Sequence, residues 1–334
     1  MISKEEMINF SREALGLAES VSIELFPFER RGSDRYFFRL KWNRKNSAIL
    51  IQYDPKRVEN IYYADIATFL REIGVPVPRI ISHDPIRCLI VMEDLGDTDL
   101  WSLRNVSWKI RQSLYHKTLV ILNRLHSFPE KEFPLTRVRL MEGFDLDLYR
   151  WERNYFKDYF IRDFCKIDLK PSFNHELESE LSRLAKRLDG SKRCLIHRDF
   201  QSQNVMIHNG EPFLIDFQGM RFGSPFYDLG SLLYDPYVKF SDRERDKLLS
   251  FYYKLAQWNL DWVPFQQTFR EASAQRLMQA LGAYGYLGVQ KGLQAFLEHI
   301  PGGLKNLYLA TSQVGSLPKL QELSMICLKA IGRK

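Results

Sequence analysis

A carboxylate, an amide and a second carboxylate are spaced along residues 194–218, CLIHRDFQSQNVMIHNGEPFLIDFQ, in a way that suits one kind of chemistry. The apolar triplet Cys194, Leu195 and Ile196 runs into His197, Arg198 and Asp199. Asn204 follows, and a second apolar run over 212–215 ends in Asp216 and Phe217. Asn209 and Gly210 supply the positive φ of a tight turn, so the surrounding runs predict a β-hairpin whose ends bring Asp199, Asn204 and Asp216 together. Phosphoryl transfer asks little covalent work of a protein. It needs an acceptor for the incoming hydroxyl proton and oxygen ligands for a Mg²⁺ that bridges the phosphates. Mg²⁺ takes carboxylate, amide and phosphate oxygens, not His or Cys. Asp199 is therefore the expected catalytic base, and Asn204 and Asp216 are the expected metal ligands. The plain alternative is a solvated loop with scattered acids, against which stand two linked motifs between strand-like runs.

The order HRD, four residues, Asn, then Asp-Phe matches the protein-kinase signature set, except that Gln218 stands where a kinase has Gly. HRDFQSQNVM followed by LIDFQGMRFGSPFYDLGSLLYD resembles the aminoglycoside phosphotransferase and choline kinase superfamily, and within it the bacterial anomeric N-acetylmuramate/N-acetylglucosamine kinases of cell-wall recycling. The resemblance implies an α+β, bilobal protein-kinase-like fold. Its N-terminal nucleotide-binding lobe, residues 1–95, would hold an antiparallel sheet plus one main helix. A larger, mainly helical catalytic and substrate-binding lobe would span 96–334, with a hinge at 93–96 and ATP between the lobes. ATP and Mg²⁺ are the implied cofactors, and the implied acceptor is a sugar hydroxyl, that at C1.

The elements that must position these residues are legible in part. Ser3 and Glu6 form a capping-box pattern that opens a first helix ending near Gly16. Strands are predicted over 21–29, 35–42, 48–53, 79–83 and 88–92, with a helix over 56–73 closed by Gly74. The turn over 30–34 contains Gly32 and Ser33. In GSDRYFFRL it resembles the family's nucleotide loop, where backbone N–H groups would cover the ATP phosphates. The third strand lacks the Lys with which a protein kinase grips those phosphates. Arg35 and Arg39, on one face of the second strand by its period of two, are candidate replacements, as are Lys56 and Arg57. Glu59 and Asp65 are candidate partners for that cation. Met92 is placed behind the adenine, and Glu93 and Leu95 belong to a hinge that reads the base through backbone groups.

In the second lobe helices are predicted over 107–128 and 144–164 and through most of 242–331. His126 and His197 read as structural supports. Tyr149, Glu152, Phe156 and Tyr159 fall along one stripe of the 144–164 segment, either as a carbohydrate platform or as a packing face. By resemblance Glu152, Arg221, Arg276 and Gln279 are substrate candidates, and Asp228 supports the catalytic loop from below. Gly282, Gly285 and Gly288 predict close helix packing.

Apolar residues make up 45% of the chain and aromatics 13%, which excludes global disorder. The net charge of +7 favours anionic partners such as ATP. It is spread along amphipathic segments without a basic tail, so nucleic acid is not an expected partner. No run approaches the ~18 apolar residues of a membrane span. Residues 1–10 are unlike a signal peptide. Cys88, Cys165, Cys194 and Cys327 form no CxxC pair, as expected for free thiols in the cytoplasm. Two further readings stand beside the sugar kinase. One is a phosphotransferase for an aminoglycoside, a choline-like alcohol or another hexose; the other is a non-catalytic nucleotide-binding protein of the same fold. A polycationic aminoglycoside calls for a strongly acidic pocket, which this basic chain does not announce.

Overall fold

The structure, a computed structural model, describes residues 2–28, 35–43 and 45–332. The chain packs as two compact units that interleave in sequence. One comprises Met1–Asp99, Phe133–Met141 and Val205–Gly219; the other comprises Leu100–Glu132, Glu142–Asn204 and Met220–Lys334. This packing differs from the single boundary at 95/96 expected from chain order.

The first unit is built on a five-stranded antiparallel sheet. Its strands are β1 (Glu24–Pro27), β2 (Tyr36–Trp42), β3 (Asn46–Gln52), β4 (Ile80–Asp84) and β5 (Leu89–Glu93), in the order β1-β2-β3-β5-β4. Helix α1 (Lys4–Leu15) starts at the capping box: Glu6 N–H donates to Ser3 Oγ at 3.2 Å and Ser3 N–H to Glu6 Oε2 at 2.9 Å. It ends at Gly16 in the left-handed region. Its Met7 and Phe10 pack with Leu40, Ala48, Leu50, Leu89 and Val91, alternate residues that share a sheet face.

The helix expected over 56–73 is two helices, α2 (Val58–Ile61) and α3 (Tyr63–Glu72), because Tyr62 N–H bonds Glu59 O three residues back at 3.3 Å and breaks the four-residue ladder. The hairpin Val205–His208 and Glu211–Leu214 turns through Asn209 and Gly210, both at positive φ, as the Asn-Gly pair predicts. It is tied to the rest of its unit by Ile207 N–H on Thr98 O at 2.7 Å and Leu214 N–H on Pro76 O at 2.8 Å. Phe133 meets Phe69 edge-on at 5.0 Å, which brings the 133–141 segment into the same unit.

The second unit is mainly helical, with α4 (Trp108–His126), α5 (Leu146–Tyr155), α6 (Pro171–Asp189), α7 (Pro225–Leu233), α8 (Asp242–Leu255), α9 (Trp262–Gly285), α10 (Ile300–Ser312) and α11 (Pro318–Ile331). Two short antiparallel strands, β6 (Cys194–Ile196) and β7 (Arg221–Gly223), carry the catalytic stretch. The helix expected over 144–164 begins at Leu146, capped by Asp145, and changes to a π-helix over Phe156–Phe164. Such a widened segment arises where tertiary packing inserts an extra residue into the helical repeat.

Packing against that segment explains two glycines of α9. A Cβ on Gly282 would lie 2.8 Å from Tyr155 Cδ1 and 3.0 Å from Phe156 N, and one on Gly285 would lie 2.7 Å from the carbonyl carbon of Tyr159. The obstacle at 285 is backbone, which cannot swing aside. Gly285→Ala is therefore expected to destabilise the chain by about 2 kcal/mol, overpacking outweighing the gain in helix propensity. A lower urea midpoint than wild type checks this; an unchanged or raised midpoint would mean the two helices separate at little cost.

Candidate active site

The catalytic stretch lies within the second unit from its start to Asn204. Leaving β6, the chain passes through Arg198 at φ +77, a left-handed conformation that costs a residue with a Cβ roughly 1–3 kcal/mol and persists only where neighbours impose it. Asp228, fully buried on α7, imposes it. Its carboxylate accepts from His197 N–H at 2.7 Å and Arg198 N–H at 2.8 Å, and lies 3.2 Å from His126 Nε2, whose Nδ1 faces the Tyr252 hydroxyl at 2.7 Å. Asp235, equally buried, holds the other end of the loop by accepting from Ser202 N–H at 2.8 Å and Tyr237 N–H at 2.9 Å. Burial pushes the Asp235 carboxyl up to about 6. Sequence reasoning missed Asp235, which lies just past the end of α7.

Asp199 emerges from this loop with its side chain a quarter exposed. Its Oδ2 accepts from Arg198 Nη1 at 2.7 Å and its Oδ1 from Arg276 Nη2 at 3.4 Å. Burial by itself would raise the carboxyl, but the two guanidinium groups outweigh it and bring it from 3.8 down to about 2. A depressed carboxylate contributes stability above its unfolded value that is lost as pH falls through the folded one. Accordingly, the pH–rate profile is expected to show no acid limb from Asp199 above about pH 3, and Arg276→Met should move that limb upward. A limb already present at pH 4–5 in the wild type would contradict the assignment. Asn204 donates from Nδ2 to the Asp199 carbonyl at 2.8 Å, which turns its amide oxygen the opposite way.

The expected substrate residues cluster in this unit. Arg276 donates to Ser231 Oγ at 3.2 Å and to Gln279 Oε1, so its guanidinium links α7, Gln279 and Asp199. Arg221 on β7 lies over the Phe144 ring at 5.7 Å, and burial together with Arg198 lowers its guanidinium. Glu152 is fully buried, with Oε1 accepting from the Tyr227 hydroxyl at 2.6 Å and Oε2 from Gln275 Nε2 at 2.9 Å. It thereby orients Tyr227 and Gln275. The stripe read as either a carbohydrate platform or a packing face is turned inward at Tyr149 and Phe156. The aromatics left at least partly open are Trp151, half exposed, and Tyr155, Tyr159 and Tyr286, in contact at 4.8–5.9 Å.

In the first unit Asp216 sits at φ +64 just past the hairpin. Its Oδ1 accepts from Arg35 Nη2 and from Gln218 Nε2 at 3.2 Å, and Arg35 Nη1 donates to Gln218 Oε1 at 2.9 Å. Burial would lower the Arg35 guanidinium, but Asp216 and, more weakly, Tyr63 and Glu59 hold it up. Arg39 is committed elsewhere, to Asp94 (2.7 Å) and Asp97 (2.8 Å). Met92, on β5, accepts from the Tyr63 hydroxyl through Sδ at 3.6 Å, and Tyr63 stacks on Phe217 at 4.5 Å. Glu93 accepts from Arg79 N–H at 3.1 Å, and the Leu95 carbonyl lies 3.1 Å from His208 Nδ1. Gly32 and Ser33 lie outside the described residues. Among the described residues no cluster of three His, Cys, Asp or Glu side chains could hold a metal. Asp216 in the first unit and the Asn204 amide in the second each offer a hard oxygen donor of the kind that suits Mg²⁺. No helix among the described residues is long and apolar enough to cross a membrane.

The chain is 23% identical over 93% of its length, and 90% of the relative's, to an N-acetylmuramate/N-acetylglucosamine kinase of Pseudomonas aeruginosa. It is 22% identical to the protein of that name from Neisseria meningitidis over 86% of each chain. Among solved structures, a choline/ethanolamine kinase family protein from Mesorhizobium loti matches with TM-score 0.62 at 15% identity over 96% of this chain and 99% of that one. The gentamicin complex of APH(2'')-IIa gives the same TM-score and coverage at 16% identity. These likenesses show the protein-kinase-like fold. The model of the phosphotransferase enzyme family matches residues 26–284, a span holding Arg35, Asp199, Asn204, Asp216 and Arg276, and the chain belongs to that family of hydroxyl phosphotransferases.

Proposed function

We propose that the chain transfers the γ-phosphate of ATP to the anomeric hydroxyl of an N-acetylated amino sugar, N-acetylmuramate or N-acetylglucosamine, in the cytoplasm. The observation that carries the reading is the anionic Asp199 held between Arg198 and Arg276, in a chain whose full-length relatives bear that kinase name. The first unit would bind the nucleotide, with Arg35 as the cation for its phosphates, and the second would bind the sugar. Arg221, Arg276 and Gln279 are the proposed sugar contacts.

Asp199 accepts a hydrogen bond from the acceptor hydroxyl and aligns its oxygen on the γ-phosphorus. A carboxyl held near 2 is a weak base, so the proton passes to an Asp199 oxygen late, after the oxygen–phosphorus bond has begun to form. That order suits a loose, metaphosphate-like transition state, in which positioning counts for more than basicity. Arg198 and Arg276 keep the carboxylate ionised and fixed until then. Asn204 and Asp216 would supply oxygen ligands to Mg²⁺, which neutralises phosphate charge when bound. The guanidinium groups of Arg198, Arg221 and Arg276 argue against a polycationic acceptor by like-charge repulsion.

The test is ADP release with Mg²⁺-ATP and a panel of both N-acetyl sugars, other hexoses, kanamycin and choline. The expected result is a kcat/KM for one of the N-acetyl sugars at least about a hundredfold above kanamycin and choline. A preference for either of the latter overturns the sugar assignment.

A further inference from the structure

Arg35, Asp216 and Gln218 close a triangle inside the first unit, and the triangle occupies one of the two carboxylate oxygens of a proposed metal ligand. Arg35 is buried, flanked by the Phe37 ring at 5.3 Å and the Tyr63 ring at 5.9 Å. It donates to Asp216 Oδ1 and, at 2.9 Å, to Gln218 Oε1, while Gln218 Nε2 donates to the same Asp216 oxygen at 3.2 Å. One oxygen of the proposed metal ligand thus carries two donors. That leaves Oδ2 to a hard cation, which would have to share the carboxylate with the guanidinium charge, and a guanidinium cannot retire by losing its proton. Arg35 must be offered another anion before it lets go.

We propose that Arg35 is a positioning residue that weakens the hold of Asp216 on a free divalent cation and gives way when nucleotide phosphates offer the guanidinium a bidentate partner. This rests on the kinase reading above. Gln218, standing where a protein kinase has Gly, is the second arm of the clasp: its amide oxygen holds the guanidinium and its amide nitrogen holds the carboxylate. Phosphate oxygens match the fork of a guanidinium as well as a carboxylate does, so the exchange conserves charge-assisted hydrogen bonds. Metal and nucleotide then enter together. By linkage, each strengthens the binding of the other.

The test is Mn²⁺ binding to the full chain, read from the electron paramagnetic resonance of the free ion, with and without ADP. Without ADP, Arg35→Gln is expected to bind Mn²⁺ roughly tenfold more tightly than wild type, within the usual range of such couplings. The gain should vanish when Asp216→Asn is added, and Arg35→Lys should restore part of the wild-type weakness. ADP should raise Mn²⁺ affinity by a larger factor in wild type than in Arg35→Gln. Equal Mn²⁺ affinity of wild type and a folded Arg35→Gln without ADP overturns the clasp and leaves the kinase reading standing. Absence of Mn²⁺-ADP binding to wild type overturns both. Gln218→Gly removes one arm without uncovering a buried charge and serves if Arg35→Gln does not fold: a gain in Mn²⁺ affinity supports the clasp, and none counts against it.

Discussion

Asp199→Asn is expected to lower kcat by about a thousandfold or more, with KM for ATP changed by less than about twofold. The substitution keeps the shape of the side chain. It leaves the backbone carbonyl that accepts from Asn204 and removes only the charge that Arg198 and Arg276 hold in place. An amide can still accept a hydrogen bond from the acceptor hydroxyl but takes no proton from it. Loss confined to kcat would mark a group that acts in the transition state. Retention of kcat within about tenfold would remove Asp199 from the catalytic role. Circular dichroism and ADP binding, both expected at wild-type levels, separate lost chemistry from lost fold.

Asp228→Ala is expected to cost more in stability than any other single change at the site, about 4 kcal/mol. Two backbone N–H groups lose their acceptor at ~1–3 kcal/mol each. Those two belong to His197 and Arg198, and they hold Arg198 in its left-handed conformation. Without them the strain of that conformation is unopposed and Asp199, the next residue, loses its aim. The effect on kcat should therefore persist at temperatures where the variant is still folded. Asp228→Asn keeps only one good acceptor and should fall between Ala and wild type. Chemical denaturation and steady-state kinetics on the same preparations check both; a stable Asp228→Ala with normal kcat would show that the loop is held by other means.

The hairpin was legible because the Asn209-Gly210 turn between its strands specifies its own geometry, and the candidate residues Asp199, Asn204 and Asp216 stood out because they lie on one run of chain. The sheet was legible for a similar reason, since Leu40, Ala48, Leu50, Leu89 and Val91 alternate with residues of the other face. The burial of Glu152 was not legible, because helical periodicity says that a face is shared without saying which way it points. The partners that draw Glu152 inward, Tyr227 and Gln275, come from segments remote in sequence. The π-helix over Phe156–Phe164 left no local signature either, and Gly282 and Gly285 marked a close approach without naming its far side. Helix α6 opens at Pro171, a good first helical residue, yet the sequence reading passed over it because no functional motif drew attention to that stretch. The interleaving of the two units follows from a hairpin that bonds back to Pro76 and Thr98, contacts that no local pattern encodes.

The central claim is that this chain moves phosphate from ATP to a sugar C1 hydroxyl with Asp199 as the accepting base. Phosphorus NMR of the product from Mg²⁺-ATP and N-acetylmuramate or N-acetylglucosamine tests it most directly. The account predicts an acid-labile sugar 1-phosphate, its phosphorus coupled to the anomeric proton, and no such signal with Asp199→Asn. Phosphate on any other oxygen of the sugar would contradict the anomeric assignment, and ATP bound without turnover of any acceptor would contradict the claim itself.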